Sequence, residues 1–459
     1  MKLWNCLKAE MLAKPYRKIC ENDTEMTFEE TVDFAESFAK RLKTEKCCAI
    51  ICKSEMMTAM ALLSCFAAGV TAVPLSLRYG ELHCNKILDI ISPTAVITDS
   101  NNVLQVTYLT NSRYCEPDIH PAIIMCTSGT TGKPKGAMLT EENILTNVYD
   151  ICDYFKIDLE DSILIARPLY HCAVLVGEFL TSLLKGANIR FYSESFNPKI
   201  LLDLIVKHNI TVFCGTPTLL SMLSRFKGKK TDCNLKKICV SGECMSKEIG
   251  KQIAQAFNDT EIYHVYGLTE ACPRVSFLPT YLFNEYADCV GVPLRSVSLK
   301  IISSEGKKAD INEIGTLWIK GENVMLGYYN DPDKTAEVLK EGWLCTGDLA
   351  LINEKGLLKI KGRSDDLIIK AGMNIYPQEI ESALKMDSRV RDVLAYKTEN
   401  AKTGVQIGLK ISGDFTDTDE VKALCNDLLP SFQIPTVIEL LDELPKNGSG
   451  KIVRRWKND

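Results

Sequence analysis

The chain has 459 residues, 46% hydrophobic and 25% charged, a composition that can bury a substantial core and excludes a disordered or fibrous protein. Lys plus Arg is 54 against 59 for Asp plus Glu, so the formal charge of -5 offers no general attraction for nucleic acid or an anionic membrane. The 19 cysteines form no CxxC pair and the five histidines are scattered. No zinc or thioredoxin-like motif is therefore written here, and buried reduced thiols in a reducing cytosol are expected.

The length accommodates about three average domains, or one large domain with a small one. Met1 to Lys8 contains no apolar signal core and the other end has no lipidation box, so a cytoplasmic protein is expected. Thr27-Phe-Glu-Glu30 is a capping box that opens an amphipathic helix running to Leu42. A strand over Cys47 to Cys52 follows. Met56 to Leu75 is uncharged and as long as a membrane span. Ser64, Gly69 and Thr71 dilute it and Pro74 interrupts it, which predicts a buried helix, Met56 to Ala68, turning at Gly69 into a strand, Val70 to Pro74. No integral membrane association is expected.

A helix over Glu81 to Ile91 and a strand over Thr94 to Thr98 continue a βαβ rhythm, which recurs at 163–166, 189–192, 211–214 and 237–240. That predicts an α/β fold whose large N-terminal domain carries parallel sheets with helices outside. After Gly291 short β-like pieces, 317–320 and 356–361, predict a β-rich subdomain. Gly362 to Asp366 reads as a polar link. Beyond it, helices at 377–386 and 419–428 with strands at 393–396 and 406–411 predict a small α+β domain. The boundaries are 1–362 for the core, 363–366 for a hinge and 367–459 for a mobile C-terminal domain. The stretch from Asp99 to Pro121 reads as short.

Chemistry concentrates first in Thr127-Ser128-Gly129-Thr130-Thr131-Gly132-Lys133-Pro134-Lys135-Gly136, directly after the apolar run Ala122 to Cys126. Glycines let backbone N–H groups approach phosphates, hydroxyls donate hydrogen bonds, and Lys133 and Lys135 offset negative charge. It is not a Walker A loop, because proline follows Gly132-Lys133. Five further motifs follow in order: Tyr266-Gly267-Leu268-Thr269-Glu270, Thr346-Gly347-Asp348, Gly362-Arg363 with Asp365, Lys370-Ala371-Gly372-Met373-Asn374, and Gly448-Ser449-Gly450-Lys451.

With these motifs nearly the whole chain resembles the adenylate-forming superfamily of acyl- and aryl-CoA synthetases, luciferases and peptide-synthetase adenylation domains. The resemblance implies ATP-dependent conversion of a carboxylic acid to an acyl-adenylate, then transfer to a pantetheine thiol of coenzyme A or of a carrier protein. It makes Glu270 the Mg2+ ligand and Tyr266 the residue that stacks on adenine. Gly242, Glu243 and Cys244 meet the base, and Gly267 and Thr269 flank the site. Asp348 accepts the ribose hydroxyls, a task for an ionised carboxylate, with Arg363 beside it. Thr131 and Lys451 act at the reacting phosphate, Lys451 by stabilising charge in the adenylation transition state. Asp365 resembles the hinge. Gly372 would line the thiol channel, where the missing Cβ permits close approach.

His171 resembles the aromatic position at the carboxylate end of the acid pocket, which also includes Cys172, Val176, Gly177, Phe213, Gly215 and Gly242. Peptide-synthetase domains place an Asp just after that position, whereas Cys172 and Ala173 follow here, so an amino-acid substrate is not expected. Glu178 remains a residue able to pair an amine. An apolar pocket with small residues suits an aryl or medium alkyl acid. A luciferase-like oxidase sharing every one of these loops is the alternative from another enzyme class.

Overall fold

The computed structural model describes residues 1–77, 80–128, 134–194, 197–227, 233–370, 373–400, 404–446 and 452–454. The capping box forms as expected: Thr27 accepts from the Glu30 backbone while the Glu30 side chain accepts from the Thr27 backbone, opening the helix Phe28–Ala39. The uncharged stretch folds as the helix Glu55–Ala68, closed by Gly69 at φ 70°, where glycine adopts the left-handed backbone cheaply. Nearly all of that helix is buried, which accounts for its lack of a polar face. Among the described residues no helix is long and apolar enough to cross a membrane.

Among the described residues one sheet runs in the order Gly327–Tyr328, Pro134–Leu139, Ile123–Ser128, Thr71–Pro74, Cys47–Ile51, Ala95–Ser100, Val103–Tyr108. Its middle pairings are parallel and its outer ones antiparallel. A second sheet carries Lys18–Glu21, Asn188–Phe191, Ser162–Ile165, Val212–Gly215, Lys237–Val240 and Glu261–Gly267 in parallel. Antiparallel strands close it, Thr24–Thr27 on one edge and Arg274–Leu278 with Val292–Pro293 on the other. The expected parallel sheets form, and antiparallel strands flank them. Short connections decide this: Asn101 and Asn102, both at positive φ, turn Ala95–Ser100 straight back into Val103–Tyr108.

The β-rich region is the antiparallel set Val297–Ile302, Gly315–Gly321, Trp343–Ile352, Leu339–Lys340 and Leu358–Arg363. From Ile368 onward the chain packs a core of its own, with Ile380, Leu384, Val393, Ile407, Leu409, Val421 and Leu424 at its centre. The helices Pro377–Leu384 and Thr418–Leu428 cover the sheet of Val390–Asn400, Gly404–Gly413 and Val437–Leu440 there. All 19 cysteines are free of disulfides.

Candidate active site

Thr127 pairs with Lys135 and Ser128 with Pro134 across the hairpin of Ile123–Ser128 and Pro134–Leu139, so the two ends of the phosphate-loop motif lie side by side. Gly129, Thr130, Thr131, Gly132 and Lys133 between them lie outside the described residues. Gly136 is needed for packing: a Cβ there would come 3.2 Å from Ile91 and 3.5 Å from Tyr329, and still closer to Ile124. The strand Gly327–Tyr328 pairs with Ala137 and Met138 and carries Tyr328 to the site. The Tyr328 hydroxyl donates to Glu270 at 2.9 Å, and Lys135 Nζ sits 5.2 Å from the centre of the same ring. Burial, and then the neighbouring Lys334, hold the Lys135 ammonium below the usual lysine range. One tyrosine thereby brings together a cation and a carboxylate that are far apart in the chain.

A second group lies across the strand pair Trp343–Ile352 and Leu358–Arg363, where Asp348 is the register partner of Arg363. The Tyr266 hydroxyl donates to Asp348 Oδ2, and Arg363 Nε meets Asp348 Oδ1 at 3.1 Å. Arg363 also donates to the Thr346 carbonyl at 2.8 Å, and the Thr346 hydroxyl accepts from the Asp348 backbone at 3.1 Å. Burial first, and then the Asp348 charge, push the Tyr266 hydroxyl well above its ordinary range, so it stays a donor. Gly267 and Thr269 follow Tyr266. Gly267 sits in a bulge where a Cβ would come 3.1 Å from Arg274 Cα. Nearby, Gly242 takes a positive φ of 96°, Glu243 accepts from the Thr218 hydroxyl at 2.7 Å, and burial pushes the Cys244 thiol up to about 12.

On the acid side, His171 begins the turn Cys172–Val174, which runs into a π-helical segment, Leu175–Leu180. Such segments widen the helix and recur at functional sites. Cys172, Val176 and Gly177 are buried there. Glu178, in the same segment, is fully buried and meets Arg167 at 2.5 Å. Burial raises its carboxyl, opposed by Arg167.

Phe213 lies on the strand Val212–Gly215. It is fully buried in a cluster with Leu201, Ile205, Leu220 and Ile238, whereas Val212 and Cys214 belong to the cluster that holds Cys172 and Val176. Side chains alternate across a strand, so Phe213 and Cys214 point to opposite faces of it.

At the junction with the C-terminal region, Asp365 lies in the turn Ser364–Asp366. Lys361 pairs with Glu379, and Arg454 meets Asp366 at 3.5 Å and Glu381 at 2.6 Å. Gly372 and Lys451 lie outside the described residues. Sequence reasoning gave no role to Arg167, Arg274, Tyr328 or Arg454. Arg167 and Arg274 each border a largely apolar stretch, 163–166 and 275–278, and a charge at such a place was the available signal. Tyr328 and Arg454 carried none.

A family model described as AMP-binding enzyme matches residues 9–329. A long-chain-fatty-acid–CoA ligase of Haemophilus influenzae is 33% identical over 361 residues, 76% of this chain and 64% of that protein. The mouse mitochondrial medium-chain acyl-CoA ligase is 34% identical over 76% of this chain and 58% of its own length. The chain thus spans less than two thirds of these curated relatives. The solved o-succinylbenzoate CoA synthetase of Bacillus subtilis, in complex with its acyl-adenylate intermediate, superposes with a TM-score of 0.86 at 26% identity, covering 98% of this chain and 97% of that one. The chain belongs to the AMP-binding enzyme family of the adenylate-forming superfamily. Within that family its similarities run to acid–CoA ligases of both fatty and aromatic acids.

Proposed function

We propose that the protein is an AMP-forming acid–thiol ligase. A carboxylate oxygen of the acid attacks the α-phosphorus of ATP, the bond to the bridging oxygen breaks, and pyrophosphate leaves. A pantetheine thiol, as its thiolate, then attacks the acyl carbon of the adenylate and AMP departs. The observation that carries this reading is the convergence of Tyr266 and Arg363 on Asp348 beside the Lys135–Tyr328–Glu270 group.

In this reading Asp348 receives the ribose hydroxyls, Tyr266 borders the adenine, and Gly242, Glu243 and Cys244 form the strand end that meets the base. Glu270 fits a Mg2+ ligand. One of its oxygens takes the Tyr328 hydroxyl, and among the described residues no hydrogen-bond donor reaches the other. Bound there, Mg2+ would shield phosphate charge. Lys135 supplies a cation for the phosphates near the loop that includes Thr131, and Lys451 bridges the acid and the α-phosphate. The C-terminal region, 367–459, turns about 363–366 between half-reactions to exchange Lys451 for the channel containing Gly372. The separate core from Ile368 onward and the Arg454–Asp366 pair beside Asp365 support that division.

The acid is not an α-amino acid: Cys172 and Ala173 follow His171, and the Arg167 guanidinium already holds Glu178. The named ligases similar to this chain make coenzyme A the acceptor to try first, with a pantetheinylated carrier protein as the alternative. Replacing Lys451 with Ala is expected to abolish acid-dependent ATP–pyrophosphate exchange while sparing thioester formation from synthetic acyl-adenylate. Equal loss of both activities in a folded variant overturns the two-step assignment.

A further inference from the structure

Among the described residues four buried polar side chains, Arg167, Glu178, Ser182 and Arg274, are not fully used by their neighbours. Arg274 begins the strand Arg274–Leu278, directly after the Glu270 turn, and is 2% exposed. Its backbone is clamped by Asn147, which accepts from the Arg274 N–H at 3.0 Å and donates to its carbonyl at 2.8 Å. Its guanidinium lies against the π-helical segment: a Cβ on Gly177 would come 3.0 Å from one terminal nitrogen, so the glycine makes room for it. Among the described residues that guanidinium touches the Cys239 sulfur at 4.0 Å and the Tyr154 hydroxyl, and no carboxylate lies within 4.0 Å of it.

The surroundings deepen the imbalance. Among the described residues two guanidinium groups, Arg167 and Arg274, face one carboxylate, Glu178. Among the described residues Arg167 Nε, Glu178 Oε2 and Arg274 Nε are buried with no hydrogen-bond partner, as is the Ser182 hydroxyl. Ser182 stands one helical turn beyond Glu178. Buried polar atoms are nearly always satisfied, and a buried cation without an anion is costly. An alkyl chain reaching this end would leave all of them unsatisfied. An oxygen-bearing group would satisfy them.

We infer that Arg274 is a specificity-determining residue, and that it selects acids bearing a second carboxylate or a carbonyl at the end remote from the activated carboxyl. This rests on the acid–thiol ligase reading and names its substrate class. The remainder of the pocket, at Val176 and Cys172, stays apolar and takes the intervening carbon skeleton.

The test compares length-matched pairs of acids, n-alkyl monoacids against ω-carboxy and ω-keto acids of alkyl and aryl type. kcat/KM is measured by acid-dependent ATP–pyrophosphate exchange for the native enzyme, R274L and R274K. The native enzyme should favour the oxygenated member of each pair by tenfold or more, because a site built to hydrogen-bond a group rejects the analogue lacking it. R274L should invert that preference with its KM for ATP unchanged, and R274K should retain part of it. A native preference for alkyl acids, or an unaltered ratio in R274L, overturns the inference while leaving the ligase reading intact. Absence of exchange with every acid overturns the ligase reading itself. Should R274L not fold, the native ratio together with that of R274K decides.

Discussion

Replacing Asp348 with Ala removes the group on which Tyr266 and Arg363 converge. Asp348 is 7% exposed, its two oxygens take the Tyr266 hydroxyl and the Arg363 guanidinium, and in the proposed reading the carboxylate also accepts two ribose hydroxyls. Each charge-assisted bond of that kind contributes about 1.5–3 kcal/mol, so losing both costs about 3–6 kcal/mol. In KM for ATP that is roughly a hundredfold to a ten-thousandfold rise. The effect on folding is smaller and separable. Arg363 is half exposed, so its ion pair contributes less than about 1 kcal/mol. The buried Tyr266 hydroxyl loses an acceptor, costing about 1–3 kcal/mol of stability. Asp348→Asn keeps an acceptor for Tyr266 but not the charge, and should show about half the KM effect with little loss of stability. Pyrophosphate exchange at saturating acid reads KM for ATP, and urea unfolding reads stability. A folded Asp348→Ala variant with KM for ATP within about threefold of native would refute the ribose assignment.

His264 gives a pH prediction. Its ring is fully buried, Nδ1 lies 2.9 Å from the Ala287 carbonyl, and burial lowers its pKa from 6.5 to about 4. The folded value lies below the unfolded one, so this stabilisation is complete above pH 6.5 and is lost as pH falls from there toward 4. By pH 5 the loss should reach about 2 kcal/mol, and His264→Gln should flatten that part of a urea-midpoint profile; an unchanged slope refutes the assignment. Phe213→Ala, which empties a site in the second core cluster, should cost about 3–5 kcal/mol of stability and leave the ranking of acids unchanged below its melting temperature. A changed ranking would place Phe213 at the acid pocket.

Much of the fold was legible because its signals are local. The Thr27 capping box, the break at Gly69 and the strand Lys237–Val240 each depend on a few neighbouring residues, and each forms where expected. The antiparallel edges were less legible. The Asn101-Asn102 turn that creates one of them is a two-residue signal inside a stretch read as merely short. The place of Phe213 was less legible for a different reason: alternation along a strand is visible in sequence, but which of its two faces meets the acid pocket is not. Cys214 and Phe213 are both apolar and both buried, so nothing in Val212–Gly215 itself distinguishes them.

The sequence by itself supplied a phosphate loop and a set of carboxylates and lysines whose order gives the resemblance to adenylate-forming enzymes, because each motif is a short local run of residue types. It also determined the rhythm of helices and strands that carries them. Only the tertiary structure decided the partnerships: Tyr266 and Arg363 meeting on Asp348, Tyr328 joining Lys135 to Glu270, and Arg274 lying against Gly177. Those contacts join residues on different strands and turns. The register of the sheets brings them within bonding distance, and register is set by packing of the whole core.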